Sequence, residues 1–275
     1  MRYEIQGPFR VVDEHGSAVI SARKLEVLFA VLLIRCDQVV TIDQLMLEIW
    51  GEKLPRRATA GLHVYISQLR KLLRRPGDST SRIITQPPGY LLRLGDDELD
   101  YLRFRELSDQ GRAHAGEGRH REAIACFEAA LDQWRGTALE DLCNGPIIDG
   151  FLAWITEARL ECLEMLIESR LQLGKHRELI GQLHLLAAQH PLREGFHRQL
   201  MLALYRSDRR AEALRVYRTA RQTLNEELGL EPCRALQDLQ QAILTADDRP
   251  EVTSDLFGPY LPLLAQEPLR SASRP

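Results

Sequence analysis

Between residues 56 and 93 the chain carries eight basic side chains: Arg56, Arg57, Arg70, Lys71, Arg74, Arg75, Arg82 and Arg93. A single acid, Asp78, lies among them. Cations at this density, with almost nothing to neutralise them, can replace the counterions of a polyanion such as the DNA backbone. The cluster is local. Residues 1–95 have a net charge of +5 and residues 96–275 a net charge of −8, so the chain as a whole, at −3, is no basic nucleic-acid coat. A basic segment on an acidic body reads as one polyanion site plus a separate second module.

No catalytic constellation accompanies these cations. The chain has no GxxxxGK[ST] phosphate loop, no GxGxxG after a strand, no GxSxG elbow and no HExxH pair. Among the eight histidines, neither His114 with His120 nor His184 with His190 has metal-ligand spacing with carboxylate partners. The five cysteines (Cys36, Cys126, Cys143, Cys162 and Cys233) are odd in number and scattered, with no CxxC pair. They read as plain thiols in a reducing cytoplasm, not as a disulfide framework or zinc knuckle. No catalytic residue, metal or cofactor is therefore expected, and an enzyme is the most distant reading. The longest apolar run, Val27 to Ile34, falls far short of the roughly 20 residues that span a bilayer, and no signal peptide is read at the start. No receiver domain precedes the first strands, so phosphorelay control is not expected.

The basic segment needs elements to present it. Tyr3 and Ile5, then Phe9 and Val11, alternate at spacing two, and Glu14-His15-Gly16 reads as a turn before Ala18-Val19-Ile20, which predicts short antiparallel strands. Ser21 is placed to cap a helix from about Arg23 to Cys36. Thr41 begins a second helix with Ile42, Leu45, Met46 and Ile49 on one face. Pro55 and the Arg56-Arg57 pair lead into a third helix, about Ala58 to Arg75, stopped by Pro76-Gly77. Ile83-Ile84-Thr85, Pro87-Pro88-Gly89 and Tyr90-Leu91-Leu92 then read as strand, turn, strand.

The third helix divides by face. Leu62, Tyr65, Ile66, Leu69, Leu72 and Leu73 fall on one side; Thr59, Ala60, His63, Ser67, Arg70, Lys71 and Arg74 fall on the other. A solvated surface would also tolerate the polar face. A nearly acid-free face, with a capped helix before it and a hairpin after it, instead reads as a helix-turn-helix with a wing. Arg70, Lys71 and Arg74 would position phosphates while His63, Ser67 and Gln68 read base edges. The wing tip at Thr85 and Gln86 would lie along the backbone or in the minor groove.

From about residue 97 the pattern is wholly helical. Arg119-His-Arg-Glu-Ala, Lys175-His-Arg-Glu-Leu and Arg209-Arg-Ala-Glu-Ala align with Glu122, Glu178 and Glu212 in register. The second spacing, 34 residues, is the tetratricopeptide period; the first, 56, looks as if an extra helix were inserted. The expected architecture is mainly α. An N-terminal winged helix-turn-helix of α+β type covers residues 1–95, an all-α tetratricopeptide-like domain covers 96–248, and a Pro/Ser-rich tail covers 249–275.

Three stretches in the first domain resemble the OmpR-type winged helix: Leu45-Met-Leu-Glu-Ile-Trp-Gly51, Val64-Tyr-Ile-Ser-Gln-Leu-Arg-Lys-Leu-Leu73 and Ile84-Thr-Gln-Pro-Pro-Gly-Tyr90. Downstream, Cys126-Phe-Glu-Ala-Ala-Leu-Asp-Gln-Trp-Arg-Gly136, His190-Pro-Leu-Arg-Glu194, Leu200-Met-Leu-Ala-Leu-Tyr-Arg206 and Glu226-Glu-Leu-Gly-Leu-Glu-Pro232 resemble the bacterial transcriptional activation domain. Together, over about residues 2–247, they resemble the SARP family, the Streptomyces antibiotic regulatory proteins. The resemblance implies a cytoplasmic, nucleoid-associated activator of a biosynthetic gene cluster. It implies promoter direct repeats near the −35 element, bound by two protomers side by side, with recruitment of RNA polymerase through sigma and other subunits. It places the reading helix at the third helix and the wing at Thr85–Tyr90, so that the DNA-binding set is Arg57, Thr59, His63, Ser67, Gln68, Arg70, Lys71, Arg74, Thr85, Gln86 and Tyr90. The chain departs from the family where it has Thr59, Ala60, His63, Tyr65, Gln68 and Gln86, and keeps the pattern at Arg70 and Lys71. Retained backbone docking with an altered base preference and a shallower salt dependence is the expectation. A second reading, a tetratricopeptide scaffold for protein partners, rests on the long acidic helical region.

Overall fold

A computed structural model of the chain describes residues 1–13, 16–18, 20, 22–75, 81–139, 142 and 145–245. These fall into two compact units, Met1–Ser169 and Arg170–Pro275. The tail at 249–275, Ser21 and Pro76-Gly77 lie outside the described residues.

The first unit opens with β1 (Arg2–Glu4), β2 (Arg10–Asp13) and β3 (Gly16–Ala18). These strands pair antiparallel in sequence order, and β7 (Glu98–Leu99) adds to the free side of β1 in parallel. The expected spacing-two pattern buries Tyr3, Phe9 and Val11, and the rings of Tyr3 and Phe9 sit 5.5 and 5.4 Å from that of Phe29. Helix α1 (Arg23–Ile34) is the apolar run made central: every residue from Val27 to Leu33 is buried. It starts at Ala22 without a side-chain cap and ends at Ile34, two residues before the expected Cys36.

β4 (Val40–Thr41) leads directly into α2 (Ile42–Trp50), whose start is a reciprocal capping box. The Gln44 amide donates to Thr41 Oγ1, and Gln44 Oε1 accepts from the Thr41 amide, which satisfies donors the helix itself cannot. Helix α3 (Ala58–Leu72) packs Leu62, Ile66 and Leu69 on α1 and α2. It closes at Leu72, three residues before the expected Arg75, and Leu72 is exposed at the edge of the apolar face while Leu73 is buried. β5 (Ile83–Gln86) and β6 (Gly89–Leu92) form a hairpin joined to β4 in the order β4-β6-β5.

Helices α4 (Asp100–Gly116) and α5 (His120–Leu131) form an antiparallel pair, and α6 (Pro146–Gln172) follows. They share one core with the winged-helix strands and helices, running from Tyr3 through Phe104 and Phe127 to Leu166. The α4–α5 approach is close: a Cβ on Gly111 would stand 2.5 Å from the Phe127 ring. The long first repeat spacing holds no added helix among the described residues. The connection 132–145 and the 27-residue α6 take up the excess.

In the second unit α7 (His176–Gln189), α8 (Glu194–Tyr205), α9 (Arg210–Leu228) and α10 (Arg234–Thr245) stack, with α8 packed against each of the other three. The repeat is visible in its turns. Gly118, Gly174 and Asp208 all take positive φ, and the next amide in each case reaches back five residues: Arg119 to His114, Lys175 to Arg170 and Arg209 to Leu204. This is the hydrogen-bond signature of a Schellman turn. Among the described residues no helix is long and apolar enough to cross a membrane.

Candidate nucleic-acid interface

Helix α3 presents the predicted polar face. Thr59, Ala60, His63, Ser67, Gln68 and Lys71 are exposed, and Arg74 is exposed just beyond the helix end. No acid occupies its first turn, while Arg70 and Lys71 lie in the last turn, where cations complement the helix dipole. Arg57 is exposed at the N-cap position. The apolar side of α3 holds the face outward. Trp50 stacks on Tyr65 at 6.1 Å, and Lys24 Nζ lies 5.6 Å above the Trp50 ring. The Thr59 hydroxyl rests 3.8 Å from Met46 Sδ. Gly61 lets the helix approach α2 closely, since a Cβ there would stand 3.3 Å from the Trp50 ring.

The hairpin has a two-residue tip, Pro87-Pro88, with Thr85 and Gln86 exposed on the strand leading into it. Its base is tightly seated. Val40 pairs with Tyr90 and Thr41 with Gly89, and the Ile42 amide donates to Pro88 O at 3.2 Å. A Cβ on Gly89 would lie 1.8 Å from Val40 O, so only glycine lets β4 and β6 meet.

Two predicted residues are placed differently from their neighbours. Tyr90 is buried, only 6% exposed, because it shares an inward face with Leu92 at spacing two along β6. Arg70 is half-buried: its Nε donates to Ile83 O at 3.1 Å and its terminal nitrogen to Thr85 Oγ1 at 2.8 Å, and its guanidinium lies 5.9 Å over the Tyr90 ring. The structure thus gathers Arg57, Thr59, His63, Ser67, Gln68, Lys71 and Arg74 on the open side of α3 and Thr85 and Gln86 on the wing, with Arg70 and Tyr90 tucked between the two.

Val64, 53% exposed, shares the outward side of α3 and lies outside the expected set. It belongs to neither the basic nor the buried residues, so only its angular position between Ala60 and Gln68 marks it. Asp97 is a second residue that sequence reasoning misses. Its side chain is 1% exposed and meets Arg82 at 2.9 Å, the Tyr3 hydroxyl at 2.9 Å, the Met1 amino group at 2.7 Å, and Arg75. Burial works to raise the Asp97 pKa, but these donors together hold it below the ordinary carboxylate value. Among the described residues, no three His, Cys, Asp or Glu side chains converge where a metal ion could sit.

Two family models match the chain. The bacterial transcriptional activator domain matches residues 99–244, and the C-terminal domain of transcriptional regulatory proteins matches residues 17–92. Regulatory protein DnrI of Streptomyces peucetius is 37% identical over 272 residues, covering 96% of this chain and 98% of that protein. Regulatory protein AfsR of Streptomyces coelicolor is 36% identical over 248 residues, covering 90% of this chain but only 24% of that longer protein. A solved structure, Mycobacterium tuberculosis EmbR in complex with low affinity phosphopeptide, matches with a TM-score of 0.83 at 31% identity, covering 88% of this chain and 64% of that chain. These families and relatives are transcriptional regulators, not enzymes. With an OmpR-type winged helix followed by a bacterial transcriptional activator domain, and with relatives of this kind along almost its whole length, the chain belongs to the SARP-type transcriptional activators.

Proposed function

We propose that the chain binds promoter DNA sequence-specifically through α3 and the β5–β6 wing, and that it activates a biosynthetic gene cluster in the cytoplasm at the nucleoid. Residues 1–95 do the binding and residues 96–248 carry the contacts to a second protomer and to RNA polymerase, its sigma subunit included. Two copies sit side by side on direct repeats near the −35 element. His63, Ser67 and Gln68, with Thr59 at the start of the helix, face base edges. Arg57, Lys71 and Arg74 neutralise phosphates, and Thr85 and Gln86 follow the neighbouring backbone. The observation that carries this reading is the exposed, acid-free polar side of α3 standing beside a two-residue wing tip.

The test is a titration on duplexes selected by the protein from a random pool and on the upstream regions of neighbouring biosynthetic genes, each at two salt concentrations. Binding should weaken steeply with salt and should discriminate the selected repeats from scrambled ones by orders of magnitude. Equal affinity for scrambled repeats would refute sequence-specific reading, and a reporter unaffected by Lys71→Ala plus Arg74→Ala would favour the scaffold reading.

A further inference from the structure

We infer that Arg70, Thr85 and Tyr90 form a brace that joins the wing to the recognition helix, and that Arg70 is a positioning residue for DNA reading, not a phosphate contact. The inference rests on the DNA-binding reading above and concerns which residues hold the reading surface in shape. Arg70 is the one predicted phosphate-binding cation whose guanidinium is turned inward. It spans two acceptors on β5, the Ile83 carbonyl at 3.1 Å and the Thr85 hydroxyl at 2.8 Å, while lying 5.9 Å over the buried Tyr90 ring of β6. A planar fork of fixed donors suits this position, because it can donate to two acceptors at once while its charge lies over an aromatic ring.

A second fixed point lies beyond the connection 76–80. Arg75, just after α3, and Arg82, just before β5, both pair with the buried Asp97 carboxylate. The hairpin itself is fastened to β4 through Tyr90 and Gly89. Helix and wing are therefore joined at two places, with the hairpin seated on β4 as well, and Arg70 supplies the joint on the helix itself. Lys71, the next residue, is exposed and supplies the comparison.

The two roles for Arg70 predict opposite behaviour. A phosphate contact accepts lysine and contributes to the salt dependence of binding. A brace does neither, because an ammonium is a point charge without the rigid fork that donates to Ile83 O and Thr85 Oγ1 from fixed positions. The experiment uses the full chain and a duplex selected by the wild type, with Kd measured across a salt series and hydroxyl-radical footprints recorded. Arg70→Lys and Arg70→Ala should each lose on the order of tenfold in affinity, with the salt slope unchanged and the wing-side protection lost. Thr85→Val should reproduce this, and Arg70→Lys with Thr85→Val should lose no more than either alone, as expected for one shared interaction. Lys71→Ala should keep both protections and lower the slope by about 0.9. Wild-type affinity in Arg70→Lys, or a slope lowered by about 0.9 in Arg70→Ala with wing protection intact, would overturn the brace. Amide exchange without DNA gives a separate reading. Gln86 and Leu91 should exchange faster in Arg70→Lys and Thr85→Val than in the wild type while the amides of α1 keep their protection; unchanged exchange at Gln86 and Leu91 overturns the brace. Failure of the wild type to bind any duplex would instead refute the DNA-binding reading and leave this exchange test to decide the brace.

Discussion

The two compact units use their charges differently. In Met1–Ser169, carboxylates removed from water tie separate segments together, Asp97, Asp100 and Glu48 the most deeply buried among them. Asp97 holds Arg75 and Arg82. Asp100 accepts the Ile5 and Gln6 amides at 2.8 Å and pairs with Arg135 at 3.3 Å. Glu48, on α2, accepts the amides of Ile147 and Ile148 at the start of α6, at 2.6 and 3.4 Å. In Arg170–Pro275, ion pairs such as Arg209 with Glu212, Arg221 with Glu231 and Arg234 with Asp238 lie on the surface. A buried carboxylate tolerates only the partners the fold brings to it, so it dictates how its segments are arranged. An exposed pair is screened and adds little. The unit that carries the polar side of α3 is therefore fastened by buried carboxylates, while the ion pairs named in the second unit lie on its surface.

The largest expected effect is at Gly89. Gly89→Ala forces a Cβ into Val40 O and should cost about 4 kcal/mol or more, read as loss of the cooperative urea transition of the first unit or as an insoluble chain. Next is Glu48→Ala, which leaves two helix-start amides, one half-buried and one buried, without an acceptor. A loss of about 2–4 kcal/mol in urea unfolding is expected, with Glu48→Gln losing less because its carbonyl still accepts one of them. A Glu48→Ala chain as stable as the wild type would erase the contrast between the units.

Asp97 gives the contrast a pH dependence. Burial pushes its pKa up, but the Met1 amino group, Arg75 and Tyr3 hold it below the unfolded value, so the carboxylate binds protons less readily in the folded chain. Its stabilisation is present above the ordinary aspartate value of about 3.9 and is lost as pH falls through the lower, folded value. Asp97→Asn should lower the urea midpoint at pH 7 and flatten the loss of stability on acidification; an acid profile identical to the wild type would contradict this.

Two smaller effects belong to the second unit. Asp208 sits at φ 63 in a turn where the two sister positions are Gly118 and Gly174. Asp208→Gly should stabilise the unit by about 1 kcal/mol, seen as a higher melting temperature. Arg221→Ala should leave the melting temperature unchanged, because its partner Glu231 is as exposed as it is.

Local signals are the most legible in the chain. The helix start at Thr41 and the spacing-two strands at Tyr3 and Phe9 each depend on residues a few positions apart, and the register of Glu122, Glu178 and Glu212 depends on a short motif repeated; propensity and periodicity act at that range. The sequence pattern carries α3 three residues too far, because polar and apolar faces continue past the point where the backbone unwinds. The repeat spacing of 56 suggests an added helix, since a count of residues cannot tell a third helix from a long connection plus a 27-residue one.

The amino-acid sequence alone specified the succession of strands, three helices and hairpin before a helical region, the polar side of α3 and the family, because faces and motifs are properties of consecutive residues. Tertiary structure alone decided that Tyr90 is interior, that Arg70 turns toward the wing, and that Asp97, Asp100 and Glu48 are the fastenings of the first unit. Those roles depend on which donors from distant segments surround one carboxylate or one ring. Partners such as Glu48 and Ile147 are 99 residues apart, and only the folded chain brings them to 2.6 Å.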